Sequence, residues 1–264
     1  MAHLKDCTMT LSNYSATTGY IVCDLELFDD ENLYAAYTRV DHRPARCRAP
    51  MRRIVAASLM ALKVENGILD VENFTSLSGP DEDLLTHQIL EYIRARPHCR
   101  VVTYGGLNAD VPALQYAAME HGLKLPRQLW KGERDRRGHL HLDLAVELKT
   151  NGEYCHLLEV ATRLALPAKF GLSAMAIPHM VAQGDYLRIE QTAEVDTIST
   201  SLVLASWLAT RGELISADAA HYSILRHVRL ARGRAPYNSY LGNVMDRIRG
   251  RMNRDLQRWM ARVA

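Results

Sequence analysis

An apolar run near the N-terminus, residues 20–28 in GYIVCDLELF, constrains the fold most because it contains two acidic residues. Its length and its β-branched and aliphatic content predict a buried strand over residues 19–28. Residues two positions apart in a strand point to the same face, so Asp24 and Glu26 would place two carboxylates side by side. Burying like charges together is unfavourable unless something positive neutralises them. The run therefore predicts a strand whose acidic pair has a cationic partner.

The rest of the pattern predicts a mixed α/β sheet with helices packed on it. The polar segment 29–50 is predicted to be a loop, and the next 26 residues form two strands joined at Asn66-Gly67, a strong hairpin signal. Further strands are predicted in CRVVTYGG and HLHLDLA. Helices are predicted in SGPDEDLLTHQILEYIRARP, with Pro80 in its first turn, in ADVPALQYAAMEHGL, in YCHLLEVATRLAL and in AEVDTISTSLVLASWLATRG, which ends at Gly212.

Composition narrows the class of protein without identifying a ligand. The net charge of +2 does not by itself indicate a nucleic-acid partner. The five cysteines are widely spaced and form no CxxC pair, which argues against a disulfide framework and a structural zinc site. The start MAHLKDCTMTLSNY lacks an apolar signal region, and no stretch is apolar enough to span a bilayer. We expect a soluble, cytoplasmic protein.

Two further acids lie at positions that favour a cleft or a helix end. Asp110 follows a strand and a glycine turn and starts a helix, where its ordinary role would be an N-cap. Asp196 lies in a helix whose buried surface includes Leu202 and Trp207. Its ordinary role would be a first-turn acid that is stabilised by the helix dipole. Each residue alone fits either interpretation.

Taken together, the segments YIVCDLE, VTYGGLNADVPALQYAAMEHGL and AEVDTISTSLVL resemble the motifs of the DEDD superfamily of 3′–5′ exonucleases. Within it, the chain is most similar to the predicted exonucleases related to the proofreading domain of family B DNA polymerases, over roughly residues 19–212. The resemblance implies an RNase H-like fold and a metal site formed by Asp24, Glu26, Asp110 and Asp196. Oxygen ligands favour two Mg²⁺ or Mn²⁺ ions, and such a pair would neutralise the acids.

The water-orienting residue of that superfamily is missing from its usual position. The His form of the motif has histidine five residues before the last Asp, and the Tyr form has tyrosine four before it, whereas this chain has Gln191 and Thr192. Glutamine hydrogen-bonds water but cannot accept its proton as a general base. Three explanations remain open: metal-bound hydroxide suffices, Tyr186 or His179 takes the role, or the protein is slow or inactive. The second motif also departs, with Gly105 in place of Asn and Ala109 in place of an aromatic residue.

Other residues carry weaker signals. The alternation of His139, His141 and Asp143 allows a metal site but is also what an ordinary strand face shows. Lys169 and two basic groups in predicted loops would either bind phosphate or be solvated. These groups are Arg39, Arg43, Arg46, Arg48, Arg52 and Arg53, and Lys131, Arg134, Arg136 and Arg137.

The sequence predicts an exonuclease domain over residues 1–212 and a basic helical extension over residues 213–264. An apolar stripe in the extension (Ile248, Met252, Leu256 and Trp259 or Met260) would pack onto the domain or a second subunit, which makes a homo-oligomer possible. The expected activity is removal of nucleotides from single-stranded 3′ ends of DNA or RNA. The alternatives are a catalytically weak nucleic-acid-binding or regulatory module on the same scaffold and a nuclease that cuts internally.

Overall fold

A five-stranded sheet forms the centre of the protein, whose computed structural model describes residues 17–43, 49–130, 140–168 and 176–263. The strands are β1 (Thr18–Asp29), β2 (Arg52–Glu65), β3 (Ile68–Ser78), β4 (Cys99–Thr103) and β5 (His141–Asp143). Their order in the sheet is β3-β2-β1-β4-β5. β2 is antiparallel to both β1 and β3, whereas β4 is parallel to β1 and β5 to β4.

The nine helices within these residues are α1 (Glu31–Val40), α2 (Glu82–Arg94), α3 (Asp110–Glu120), α4 (Leu144–Glu147), α5 (Leu157–Arg163), α6 (Ile177–Gln183), α7 (Tyr186–Thr210), α8 (Ala217–Ala231) and α9 (Asn238–Val263). They cover both faces of the sheet. The strand order, the single antiparallel strand beside β1 and the flanking helices confirm the RNase H-like fold that the resemblance implies. The predicted hairpin is also confirmed, with left-handed φ values of 53° at Asn66 and 73° at Gly67.

Four details of the local prediction are wrong. Helix α1 occupies much of segment 29–50, because Asp30 accepts hydrogen bonds from the N–H groups of Asn32 and Leu33 and so caps a helix without buried residues. The pattern does not predict α6. Helix α7 begins about two turns earlier than expected, after its N-cap Asp185. Pro80 precedes α2, which starts after the N-cap Asp81.

β1 alternates between two apolar cores, and this places its acidic pair. Tyr20 and Val22 contribute to the core shared with α7, whereas Ile21, Cys23 and Leu25 contribute to the core shared with α2 and α3. Because side chains alternate along a strand, Asp24 and Glu26 continue the row of Tyr20 and Val22. The acids therefore lie on the face of the sheet that α7 covers.

Helices α8 and α9 pack on that same face. Ile224 and Val228 of α8 and Leu241, Val244 and Ile248 of α9 are buried in one apolar core with α7 and the sheet. Along the predicted stripe of α9, Ile248 is buried and Met252 packs against the core, whereas Leu256, Trp259 and Met260 are exposed. The division of the chain at residue 212 stays a prediction, as does a homo-oligomer.

A buried polar network joins α7 to the corner between α8 and α9. The carboxylate of Glu194, in α7, accepts hydrogen bonds from Arg232 Nε at 2.5 Å and from Tyr237 Oη at 2.6 Å. Ser76 Oγ on β3 donates a third bond at 2.8 Å. Since a buried carboxylate requires such donors, the network fixes α7 against both β3 and the C-terminal helices.

A search of the described helices found none that combines the length and the low charge needed to cross a membrane.

Candidate active site

Three of the predicted acids converge at the end of β1. Asp24 and Glu26 come from β1, and Asp196 comes from α7, which crosses the same face of the sheet. Each offers a carboxylate oxygen, and these oxygens lie within 4.8 Å of one another. Oxygen donors at this spacing fit a hard divalent cation.

Asp196 lies in the third turn of α7, ten residues after the first residue of that helix. A first-turn position near the helix dipole is therefore not its role, and that interpretation is wrong. Asp196 is half-buried, between the buried neighbours Val195 and Thr197. Its place in the middle of a 25-residue helix holds the carboxylate over β1 with little freedom to move.

Asp110 lies in the first turn of α3 but does not cap the helix. The N-cap is Ala109, and no side chain bonds the free N–H groups there, so the capping role is wrong. Burial, followed by the negative charges of Asp143 and Asp196, raises the pKa of Asp110 to about 7. Asp110 is thus within electrostatic reach of Asp196, although it is not one of the three residues whose oxygens lie within 4.8 Å. We call Asp24, Glu26, Asp110 and Asp196 the carboxylate site.

Two clefts share the carboxylate site between them. Glu26 and Asp110 line the first cleft, of about 830 Å³, whose other walls include Asp30, Arg52 and Pro178. The second cleft, of about 600 Å³, is lined by Asp24 and Asp196 with Tyr104, Asn108, Ala145, Tyr154, His156 and Glu159. Each cleft is therefore lined by two of the four acids.

The residues at the position that usually provides the water-orienting residue do not line these clefts in the part of the chain that the structure describes. Thr192 is buried, and its hydroxyl donates to the carbonyl of Arg188 one turn earlier in α7. Gln191 is half-buried. Within the described chain, the residues that line the two clefts do not include Gln191, His179 or Tyr186. Ala109, which replaces an aromatic residue of the motif, lines the first cleft.

Asp143 is a buried acid whose place in the site the sequence analysis did not predict. Its carboxylate accepts hydrogen bonds from the backbone N–H groups of Gly105 at 2.7 Å, Leu107 at 2.9 Å and Ala145 at 3.0 Å. The sequence offers only a weak signal for these contacts. Asp143 stands at the end of one predicted strand, and a glycine turn follows another predicted strand.

Among the other candidates, His141 does not belong to the carboxylate site. Its Nε2 lies 3.0 Å from Thr103 Oγ1, and burial lowers its pKa to about 4, despite an opposing effect of Asp143. His139, Lys169, Arg46, Arg48 and the basic group at 131–137 lie outside the described residues. Several described arginines pair with acids, namely Arg43 with Asp41, Arg52 with Asp29, and Arg53 with Asp30.

A second group of acids surrounds Arg53, and we call it the Arg53 cluster (Asp30, Arg53, Glu82, Glu120 and His121). Arg53 Nη1 lies 2.7 Å from both Glu82 and Glu120, and its Nε lies 3.1 Å from Asp30. Glu82 also accepts a bond from the backbone N–H of Ile54 at 2.7 Å. Although burial opposes it, hydrogen bonds from Arg53 and from the N–H groups of Leu33 and Asn32 lower the pKa of Asp30.

A family model matches residues 46–241, and its description is a predicted 3′–5′ exonuclease related to the exonuclease domain of PolB. The match spans most of the chain and includes Asp110 and Asp196, whereas Asp24 and Glu26 precede it. No curated protein matches the sequence.

Solved structures with a related fold are distant in sequence. A product-bound exonuclease I is 10% identical, with 80% of this chain and 46% of that chain aligned and a TM-score of 0.45. The family B DNA polymerase of Pyrobaculum calidifontis is 13% identical over 82% of this chain and 29% of that one, with a TM-score of 0.48. Escherichia coli exonuclease I in complex with a dT13 oligonucleotide is 11% identical over 74% and 41%, with a TM-score of 0.43. The chain thus spans less than half the length of these proteins.

Proposed function

Because the chain belongs to the family of predicted 3′–5′ exonucleases related to the exonuclease domain of PolB, we propose that it hydrolyses phosphodiester bonds at single-stranded 3′ ends of DNA or RNA. One observation carries the proposal: carboxylate oxygens of Asp24, Glu26 and Asp196 lie within 4.8 Å of one another, and Asp24 and Asp196 line a cleft. Like charges gathered so closely favour binding of a cation.

In this proposal the carboxylate site holds two Mg²⁺ or Mn²⁺ ions. Asp24, Glu26, Asp110 and Asp196 would supply the oxygen ligands that hold them. When bound, such a pair supplies Lewis-acid stabilisation to the attacking and leaving oxygens of a phosphodiester. The acids themselves contribute position: β1 and α7 are rigid elements that fix three of the four oxygen donors.

In this proposal, metal binding by Asp110 depends on pH. Its pKa of about 7 in the metal-free protein means that a cation competes with a proton for the carboxylate near neutral pH. The second cleft would receive the strand, since Tyr104 and Tyr154 offer aromatic surface on which any base can stack. Stacking of this kind tolerates sequence and suits unpaired ends.

A catalytically weak nucleic-acid-binding or regulatory module is the second candidate function. Positions 191 and 192 of α7 favour this function. The buried Thr192 hydroxyl donates a hydrogen bond to the backbone carbonyl of Arg188, and Gln191 cannot act as a general base. Loss of a positioned base typically lowers a rate by about 10²–10⁴-fold. Such a protein would still bind strands.

The test uses 5′-labelled single-stranded RNA and DNA oligonucleotides with Mg²⁺, Mn²⁺ or EDTA, in parallel with an Asp24→Asn variant. We expect products that shorten stepwise from the 3′ end, only with metal and only in the wild type. The same gel gives the sugar preference. Binding without cleavage by folded protein would contradict the proposal and favour the second function, whereas internal cuts would identify an endonuclease.

A further inference from the structure

Both oxygens of the buried carboxylate of Asp143 accept hydrogen bonds from the backbone. Oδ1 accepts the N–H groups of Gly105 and Ala145, and Oδ2 accepts that of Leu107. All three distances are between 2.7 and 3.0 Å. Bonds to an ionised acceptor are roughly twice as strong as neutral ones, so these fix the segment strongly.

The segment that Asp143 holds is the turn between β4 and α3. Gly105 has a left-handed φ of 80°, and the carbonyl of Gly106 accepts the N–H of Val111 at 2.9 Å, inside the first turn of α3. Asp143 therefore joins the end of β5 to the turn that delivers Asp110. Without this anchor, a glycine-rich turn would have many more conformations available.

Asp110 is seated directly on this turn. A Cβ atom at Gly106 would lie 2.7 Å from Asp110 Oδ2 and 2.6 Å from Thr103 Cβ, which is closer than real Cβ contacts. The side chain of Asp110 thus occupies the space that a residue with a side chain at position 106 would need. Because Asp110 packs against the turn and is only 8% exposed, a displacement of the turn would also move its carboxylate.

We propose that Asp143 is a positioning residue, not a metal ligand: it anchors the 105–107 turn so that Asp110 is presented to a cation in the carboxylate site. The inference rests on the proposed function, because it assigns Asp143 a role in the same metal site. Hydrogen bonds to groups behind a ligand commonly change metal affinity by about 10–100-fold.

Mn²⁺ binding to Asp143→Asn, measured by calorimetry without nucleic acid, tests this role. Asparagine keeps one acceptor oxygen but directs an NH₂ group at an N–H donor of the turn, so the turn should shift. We expect roughly 10–100-fold weaker binding of Mn²⁺. In the oligonucleotide assay, a higher Mg²⁺ concentration should be needed for half-maximal rate, with much of the rate recovered at saturating Mg²⁺.

Asp81→Asn is the matched control, because Asp81 also accepts a backbone bond, from Leu84 at 3.0 Å, but at the start of α2 away from both clefts. It should leave the affinity for Mn²⁺ unchanged. Gly106→Ala is a second variant that keeps Asp143 and displaces Asp110 directly, and it should weaken Mn²⁺ binding to a similar extent.

Unchanged Mn²⁺ affinity in folded Asp143→Asn, or in Gly106→Ala if the first variant does not fold, would overturn the inference. A wild-type protein that binds no Mn²⁺ would contradict the proposed function itself. The two failures are therefore distinguishable.

Discussion

The carboxylate site and the Arg53 cluster each contain three side chains whose ligand atoms lie within 4.8 Å of one another, namely Asp24, Glu26 and Asp196 in the first and Glu82, Glu120 and His121 in the second. One further acid in each group, Asp110 in the first and Asp30 in the second, has a shifted pKa, and the two shifts have opposite directions. In the carboxylate site, burial and neighbouring acids raise the pKa of Asp110 to about 7. In the Arg53 cluster, Asp30 has a lowered pKa because the guanidinium and two backbone N–H groups outweigh its burial. The Arg53 cluster contains its own cation, whereas the surroundings of Asp110 in the carboxylate site destabilise its negative charge.

This difference separates a structural acid cluster from a functional one. Acids around an internal arginine form a closed network, in which removing the cation leaves buried charge behind. An acid such as Asp110, whose pKa is raised by burial and by neighbouring acids, lies where a cation from solution would be stabilised, and perturbed groups of this kind cluster at functional sites. Proximity alone does not separate the two, since both groups have the spacing of metal ligands.

The largest effect is expected from Asp24→Asn on nuclease activity. In the proposed function the bound metal would supply several kcal/mol of transition-state stabilisation, so loss of the Asp24 carboxylate should lower kcat/KM on the order of 10³-fold. The measurement is single-turnover cleavage of a labelled oligonucleotide in saturating Mg²⁺. Glu120→Gln, in the Arg53 cluster, is the control and should retain activity. Equal losses in both variants would mean that the two clusters do not differ in function.

Arg53→Met should produce the next largest effect, on stability. The change leaves Glu82, whose side chain is 9% exposed, without its guanidinium partner, which for a buried pair costs about 3 kcal/mol. Urea unfolding of the metal-free protein would measure it. Asp24→Asn removes a charge from a group of like charges, so its free energy of unfolding should be unchanged or higher. A large loss in that variant would contradict the comparison.

The third effect, of intermediate size, is expected in the pH dependence of the free energy of unfolding of the metal-free protein. Asp110 has a folded pKa of about 7, against about 4 in an unfolded chain. Between these values the native state binds the extra proton, so the stabilisation present below about pH 4 is lost as the pH rises toward 7. We expect the free energy of unfolding to fall by a few kcal/mol over this range, since one pKa unit corresponds to about 1.4 kcal/mol. Urea midpoints at several pH values would show it.

Asp110→Asn should remove that slope between pH 4 and 7. Asp30 contributes with the opposite sign, because its lowered pKa gives stability above its unfolded value that is lost in acid. Asp30→Asn should therefore alter only the acid limb. A slope that persists in Asp110→Asn would assign the titration to another group.

The smallest effect is expected from Gln191→Ala, because Gln191 does not line either cleft among the described residues. The rate should fall less than about tenfold, below the range for losing a general base. The oligonucleotide assay in saturating Mg²⁺ measures it. A loss of about 10² or more would show that Gln191 acts on the attacking water after all.

The sequence predicted what depends on local pattern. The apolar run over residues 20–28 predicted the central strand, the spacing of Asp24 and Glu26 predicted that both lie on one face, and Asn66-Gly67 predicted the hairpin. The assignment of Asp110 and Asp196 depended on family resemblance, because spacing alone also allowed a cap or a first-turn acid. The four-acid set stays a prediction, although the structure brings three of its members together.

Long-range contacts were not predictable from pattern. Asp143 meets the 105–107 turn across 36 to 38 positions of sequence, and nothing local indicates that its carboxylate faces three N–H groups. Helix α1 carries no buried residue, so no apolar stripe reveals it, and only Asp30 as a cap could have suggested its start. The Arg53 cluster joins four separate segments, and its arginine looked like one of several loop cations.

The buried contacts of Glu194 also bear on synthesis of the chain. Its partners Arg232 and Tyr237 are translated 38 and 43 positions later. Until both have left the ribosome, a carboxylate that is 2% exposed in the finished protein lacks two of its donors, and its burial is unfavourable. Helix α7, which carries Asp196, therefore cannot gain these two hydrogen bonds before residues 232–237 have been synthesised.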